Sequence, residues 1–310
     1  MGKPQRLVFG ETLVELGAEN DRIVVLDADV SSSTQTRHFG AKYPDRFFNF
    51  GVAEANMVSA AAGFAACGYI PVVSSFAFLL ALRAGDQVRA QIAYTGLNVK
   101  LAGGYAGLSD FADGASHQSV EDIAVMRAMP NMTVIVPSDV TETVMAVRAA
   151  VEHEGPVFLR LSRAEVTEDY PPGHPFKIGR GIVLRDGADA TLIATGTVVK
   201  MAMQAADDLA ASGLGCRVVD MHTVKPLDDL LVARCAEETG AIVTVEEHSV
   251  HGGLGSAVCE AVCQSRPVPV LRCGIQDRFG ESGAYAEILE RAGISTGRIA
   301  ELARQAVAMK

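Results

Sequence analysis

One acidic residue in an otherwise small and apolar stretch is the first sign of chemistry in this chain. Glu54 stands in NFGVAEANM (49–57), and AAAGFAACG (60–68) follows, a pattern suited to a tightly packed helix. An ionised carboxylate is costly to bury there, so Glu54 is expected to be protonated or firmly hydrogen-bonded. Two readings fit: a carboxylate that satisfies free amides at a helix N-terminus, or a carboxylic acid tuned for proton traffic with a bound heterocycle. A second group lies in GGYAGLSDFADGASHQ (103–118), a long glycine-rich loop. Its Asp113 and His117 suit a polar substrate, one binding hydroxyls and the other moving a proton near neutral pH. The plainer alternative is a capping loop whose histidine only ties down backbone. Arg6, Arg160 and Arg163 are the basic residues of interest. Arg160 and Arg163 bracket the end of an apolar run, where a strand terminus can meet an anion, although a salt-bridged or solvated arginine is the commoner fate.

These residues need elements to position them. Short β-branched runs alternate with longer helical patterns along the whole chain. Strands are expected over 23–29, 71–76, 98–103, 133–137 and 157–161, and helices over 53–66, 83–94, 120–128 and 140–152. Ser119 with Asp122, and Ser138 with Thr141 and Glu142, supply helix-start signals. This rhythm predicts a parallel sheet covered on both faces, with ligand-binding loops outside the carboxyl ends of its strands. The polar segment 167–176, TEDYPPGHPF, holds three Pro and one Gly and breaks the rhythm. It is taken as a linker over 167–178, between domains at 1–166 and 179–310. Strands over 190–195, 216–221, 241–246 and 268–273, with helices over 198–211, 228–238 and 255–265, then predict a second, smaller α/β domain. No internal repeat or low-complexity stretch interrupts this pattern.

Bulk properties narrow the function. The chain has 310 residues and a formal net charge of -10, which argues against nucleic acid or an anionic membrane as partner while leaving room for a local anion site. The first residues lack the apolar core of a signal peptide. The longest apolar stretch, 52–71, contains Glu54, Asn56 and several Gly, so it is no membrane span. Six cysteines without a CxxC pair read as thiols of a reducing cytoplasm. Cys259 and Cys263, spaced i,i+4 on an expected helix, read as structural. HGGLGSA (251–257) is not a GxGxxG fingerprint and reads as a turn into a helix. His222 and His248 read as structural or interfacial. The sequence has neither a GxSxG elbow nor a Walker lysine loop, and no metal-ligand spacing.

Together, these stretches resemble the transketolase family, over nearly the whole chain. RFFNFGVAEANM (46–57) resembles the segment around that family's catalytic glutamate. DGASHQSVEDIAVMRAMPNMTVIVPSD (113–139) is similar to its long DGPTHQ–ED–PNM run, and FLRLSR (158–163) resembles its segment with a phosphate-binding arginine. The fold that the resemblance implies is two α/β domains, a thiamine-diphosphate pyrimidine-binding parallel-sheet domain and a smaller transketolase C-terminal domain. The family's GDG motif with a downstream Asn, which holds Mg2+ at the cofactor diphosphate, has no counterpart here. The resemblance therefore implies a split enzyme in which an N-terminal, diphosphate-binding partner subunit holds Mg2+, with no metal ligands on this chain, in an expected α2β2 assembly acting on sugar phosphates.

Carried over by residue, Glu54 matches the glutamate that hydrogen-bonds the aminopyrimidine ring of thiamine diphosphate, and His117 the histidine that handles substrate hydroxyl protons. Asp113 matches a sugar-hydroxyl ligand, while Arg6, Ser33 (in DADVSSST) and Arg163 match positions that grip the sugar phosphate. Two departures stand out. Tyr105 occupies the place of a usual histidine at the phosphate end, which admits a sulfonated or branched sugar. The aromatic that stacks on the pyrimidine maps by the DQVR register (86–89) to Leu80, with Phe76 and Phe78 the nearest aromatics and Phe78 favoured. Alternatives are the beta subunit of a 2-oxoacid dehydrogenase decarboxylase component, and a non-catalytic scaffold subunit. A deoxyxylulose phosphate synthase is set aside because that enzyme is normally one long chain.

Overall fold

The computed structural model describes residues 2–171 and 173–310; Met1 and Pro172, the latter inside the expected linker, lie outside the described residues. Two parallel-dominated sheets, each flanked by helices, give the expected α/β class. The first sheet has the order Thr223–Lys225, Thr133–Ile135, Val157–Arg160, Lys100–Gly104, Ile70–Phe76, Ile23–Asp27, Phe47–Asn49. All its pairings are parallel except that of Thr223–Lys225. Every residue of Ile23–Asp27, Lys100–Gly104 and Val157–Arg160 is buried, as strands covered on both faces require. In register, Asp27 lies beside Ser74, Phe76 beside Gly104, and Gly103 beside Arg160. The strands therefore end along one edge, and the loops leaving that edge carry Ser33, Phe78, Tyr105 and Arg163.

The second sheet runs Val270–Ile275, Ile242–Ser249, Ala190–Ala194, Cys216–Asp220, Ile182–Arg185, with only the last strand antiparallel among these pairings. The two halves are not independent. Thr223–Lys225 leaves the second half to pair with Thr133–Ile135 of the first sheet. One hydrophobic core joins Met57, Leu101 and Phe158 with Val219, Val232 and Leu254. Each such side chain, fully buried, stabilises by about 1.5–3 kcal/mol, so the halves are held together by packing.

The helix expected over 83–94 is present, but not as one regular α-helix. The chain forms wide π-helical turns at Leu79–Arg83 and Val88–Ala93, joined by a short α-turn at Gly85–Gln87. Leu80, Ala84, Val88 and Ile92 are all fully buried. A stripe spaced by four drifts about 40° per step on an α-helix of 3.6 residues per turn, and wider turns keep it facing the core.

An acidic pair also bridges the halves. Ser138 Oγ lies 2.8 Å from Glu142 Oε2 and 2.9 Å from Asp220 Oδ2, and both carboxyls are fully buried. A hydroxyl has one proton to give, so it cannot serve both as donor, and one carboxyl must itself be protonated. Burial raises Glu142 well above its usual range and, against hydrogen bonds from Tyr170 and Ser138, pushes Asp220 up to about 7. Because the folded values are raised, this stabilisation is complete below the unfolded values near 4 and is lost as pH rises through about 7. The melting temperature is thus expected to fall as pH rises from about 4 to about 7, with a smaller slope in Asp220→Asn. Identical slopes in thermal melts of the two proteins would rule the pair out as the cause.

Candidate active site

Glu54 opens the helix Glu54–Ala66. The loop before it is braced by Asn49, whose Oδ1 accepts from the amides of Asp29 at 3.1 Å and Gly51 at 2.9 Å. The Glu54 carboxylate is 1% exposed, and its hydrogen-bond partner among the described residues is Arg83 Nη1 at 3.4 Å. The carboxylate does not cap the helix through backbone amides, as one reading of the sequence had it, and it keeps acceptor capacity for an external donor. Neither Arg83 nor its pairing with Glu54 was read from the sequence; the two are separated by 29 positions.

Beyond Glu54, the strand edge gathers aromatic rings around His117. Phe76 and Phe78, both partly buried, meet the imidazole edge-on, with centroids at 6.0 and 5.7 Å. Ser116 Oγ lies 2.9 Å from His117 Nδ1, so Nε2 is the nitrogen left to face a ligand. Phe76 also packs on Tyr105, with centroids 4.5 Å apart. Leu80 is a correction. It is fully buried in the core, already covered by protein atoms, and cannot present a face to a bound ring. Phe76 and Phe78 remain as flat, half-buried surfaces.

The basic residues separate into two roles. Arg6 Nη1 donates to Ser33 O at 3.0 Å and to Tyr105 Oη at 2.7 Å. Arg163 lies over the Tyr105 ring, 5.1 Å from its centroid, and its Nη1 is 2.7 Å from Asp110 Oδ1 and 3.9 Å from Asp113 Oδ2. Arg6, Ser33, Tyr105, Asp113 and Arg163 thus form one connected cluster, with Tyr105 held at φ +59°. Arg160 does not join it. It is buried against Asp122 at 2.8 Å and donates to Ser119 O and Glu247 O, which leaves it no role toward an anion.

Asp110 went unnoticed in the sequence, although it lies three positions before Asp113. Burial and the neighbouring Asp113 push its carboxyl up, and Arg163 holds it down. The turn at HGGLG opens the helix Leu254–Ser265, and Glu246 takes the amides of Leu254 and Gly255 at 2.7 and 2.8 Å. That helix end is therefore satisfied internally. His222 is buried and stacks on Phe176 at 4.1 Å. Among the described residues, no three His, Cys, Asp or Glu side chains gather as a metal site.

The residues present fit an aminopyrimidine, since Glu54 offers a buried acceptor and Phe76 and Phe78 offer apolar faces. Residues 3–168 match the family of the transketolase pyrimidine-binding domain, and residues 179–299 that of the transketolase C-terminal domain. The 6-deoxy-6-sulfo-D-fructose transketolase subunit of Clostridium sp. (strain MSTE9) is 40% identical over 98% of this chain and 95% of its own length. An apulose-4-phosphate transketolase subunit from Phocaeicola vulgatus is 37% identical over 97% of each chain. A solved structure described as a split gene transketolase, an inactive beta4 tetramer, is 45% identical, covers 100% of both chains and superposes with a TM-score of 0.92. This chain is a member of the transketolase family.

Proposed function

We propose that this chain is the pyrimidine-binding subunit of a two-chain, thiamine-diphosphate-dependent transketolase that moves a two-carbon ketol unit between sugar phosphates or close analogues. The observation that carries the reading is the buried Glu54 carboxylate, with spare acceptor capacity, at the start of a helix packed on the sheet whose carboxyl edge carries Phe76, Phe78 and His117. Thiamine diphosphate, when bound, supplies the carbon nucleophile for ketol transfer. Glu54 accepts a hydrogen bond from the pyrimidine ring, and Phe78 or Phe76 packs on its face. His117 Nε2 moves a proton at a substrate hydroxyl, and Asp113 accepts from another. Arg6, Ser33, Tyr105 and Arg163 receive the far end of the sugar. The partner subunit holds the diphosphate and Mg2+, and two copies of each chain form the working enzyme.

None of the described helices is long and apolar enough to cross a membrane. The six free thiols support a cytoplasmic setting.

The test is reconstitution. This chain, a diphosphate-binding subunit, thiamine diphosphate and Mg2+ are mixed with a panel of ketose donors and aldose acceptors. Ketol transfer is expected from the mixture and from neither chain alone. Decarboxylation of 2-oxoacids without any sugar transfer would sink the reading.

A further inference from the structure

We propose that the far end of the substrate site selects a terminal group with a single negative charge, a sulfonate in chemical class, over a phosphate dianion, and that Asp110 and Tyr105 impose this choice. The inference rests on the transketolase reading and assigns a substrate class to that same site.

The charges decide it. Arg163 is the arginine aligned with anion binding, yet its Nη1 meets Asp110 Oδ1 at 2.7 Å. Asp110 is fully buried, so its charge is not screened by water and is matched locally by the guanidinium. Asp113 Oδ2, 3.9 Å from the same Nη1, is 55% exposed, so water screens its charge and the local balance rests on the buried Asp110. Arg163 therefore has no surplus charge for a ligand.

Arg6 is the remaining cation of the cluster. Its Nη1 is occupied by Ser33 O and Tyr105 Oη, which leaves Nε and Nη2 as one two-pronged edge. That edge matches a single anionic group bearing two oxygens. Tyr105 accepts from Arg6 and keeps its own O–H, a neutral donor for a third oxygen. A sulfonate is a tetrahedral monoanion with three oxygens and meets this set without leftover charge. A phosphate monoester carries about −1.5 to −2 at pH 7, and its second charge would be desolvated without a partner.

The test uses the reconstituted two-chain enzyme with three donors of one carbon skeleton, ending in sulfonate, phosphate or hydroxyl. The sulfonate is expected to have kcat/KM at least tenfold above either of the others. Asp110→Asn keeps the size and an acceptor for Arg163 but frees its charge, and it should raise the phosphate-to-sulfonate ratio at least tenfold. Tyr105→His should move the ratio the same way, and histidine tolerates the left-handed backbone better than most residues. A wild-type enzyme that prefers phosphate, or does not discriminate, overturns the inference and leaves ketol transfer standing. An unchanged ratio in Asp110→Asn overturns it as well. Absence of transfer from all three donors would remove the inference together with the transketolase reading.

Discussion

Glu54→Gln is expected to reduce ketol transfer by roughly 10²–10⁴-fold, the range one acid–base group contributes, while the fold survives. Glutamine keeps the shape of the side chain and one acceptor oxygen. It cannot hold the negative charge, and its amide presents hydrogens where the carboxylate presents lone pairs. The structure limits the stability cost. The Arg83 partner is 55% exposed in its side chain, so its charge stays solvated when the pair is lost, and the glutamine oxygen still accepts from it. Loss of a first-turn carboxylate from the helix N-terminus removes about 0.3–1 kcal/mol. A melt within a few degrees of wild type, with activity below one hundredth, is the expected pair of results. Activity above one tenth would mean that Glu54 does not handle the proton. Loss of the folded state would make it a structural anchor.

How much of this was legible depends on where each signal resides. The central strands announce themselves as unbroken apolar runs: IVVLD became Ile23–Asp27 and CRVVD became Cys216–Asp220. Ile182–Arg185 and the crossing strand Thr223–Lys225, only four and three residues long, went unread because so short a run carries little periodicity. The helix Gln5–Glu19 was also missed. It holds Gly10 and Gly17, which weaken a helical pattern, and both are explained only by tertiary contact. A Cβ on Gly10 would lie 2.7 Å from Gln35 O, and one on Gly17 would lie 2.6 Å from the rings of Phe39 and Tyr43.

The site divides in the same way. Glu54 was conspicuous because a charge among alanines has few explanations. Asp110 was not, since an aspartate in a polar loop is ordinary until Arg163, 53 positions away, is folded onto it. Arg160 illustrates the opposite error. A terminal arginine beside a loop invites an anion, and only the folded chain reveals that its donors are taken.

The second large effect follows from that arginine. Arg160→Met is expected to destabilise the chain by about 3–5 kcal/mol, the cost of breaking a buried ion pair from one side. Asp122 is fully buried and its Oδ1 already has no partner among the described residues. Removing the guanidinium strands the other oxygen as well and leaves Ser119 O and Glu247 O without their donor. Those two carbonyls belong to different halves, so the loss loosens the seam between the sheets. Against a typical total of about 5–15 kcal/mol, a large share of the stability is at stake. Urea unfolding at one fixed protein concentration measures it, the fixed concentration being needed because self-association would shift the midpoint. Adding Asp122→Leu to Arg160→Met removes the stranded charge and should recover most of the loss, since apolar replacements of a buried pair are often neutral. A single variant within 1 kcal/mol of wild type, or a double variant no better than the single, would show that the pair does not hold the seam. Recovery of both stability and ketol transfer in the double variant would assign Arg160 to joining the halves and give it no part in the transfer.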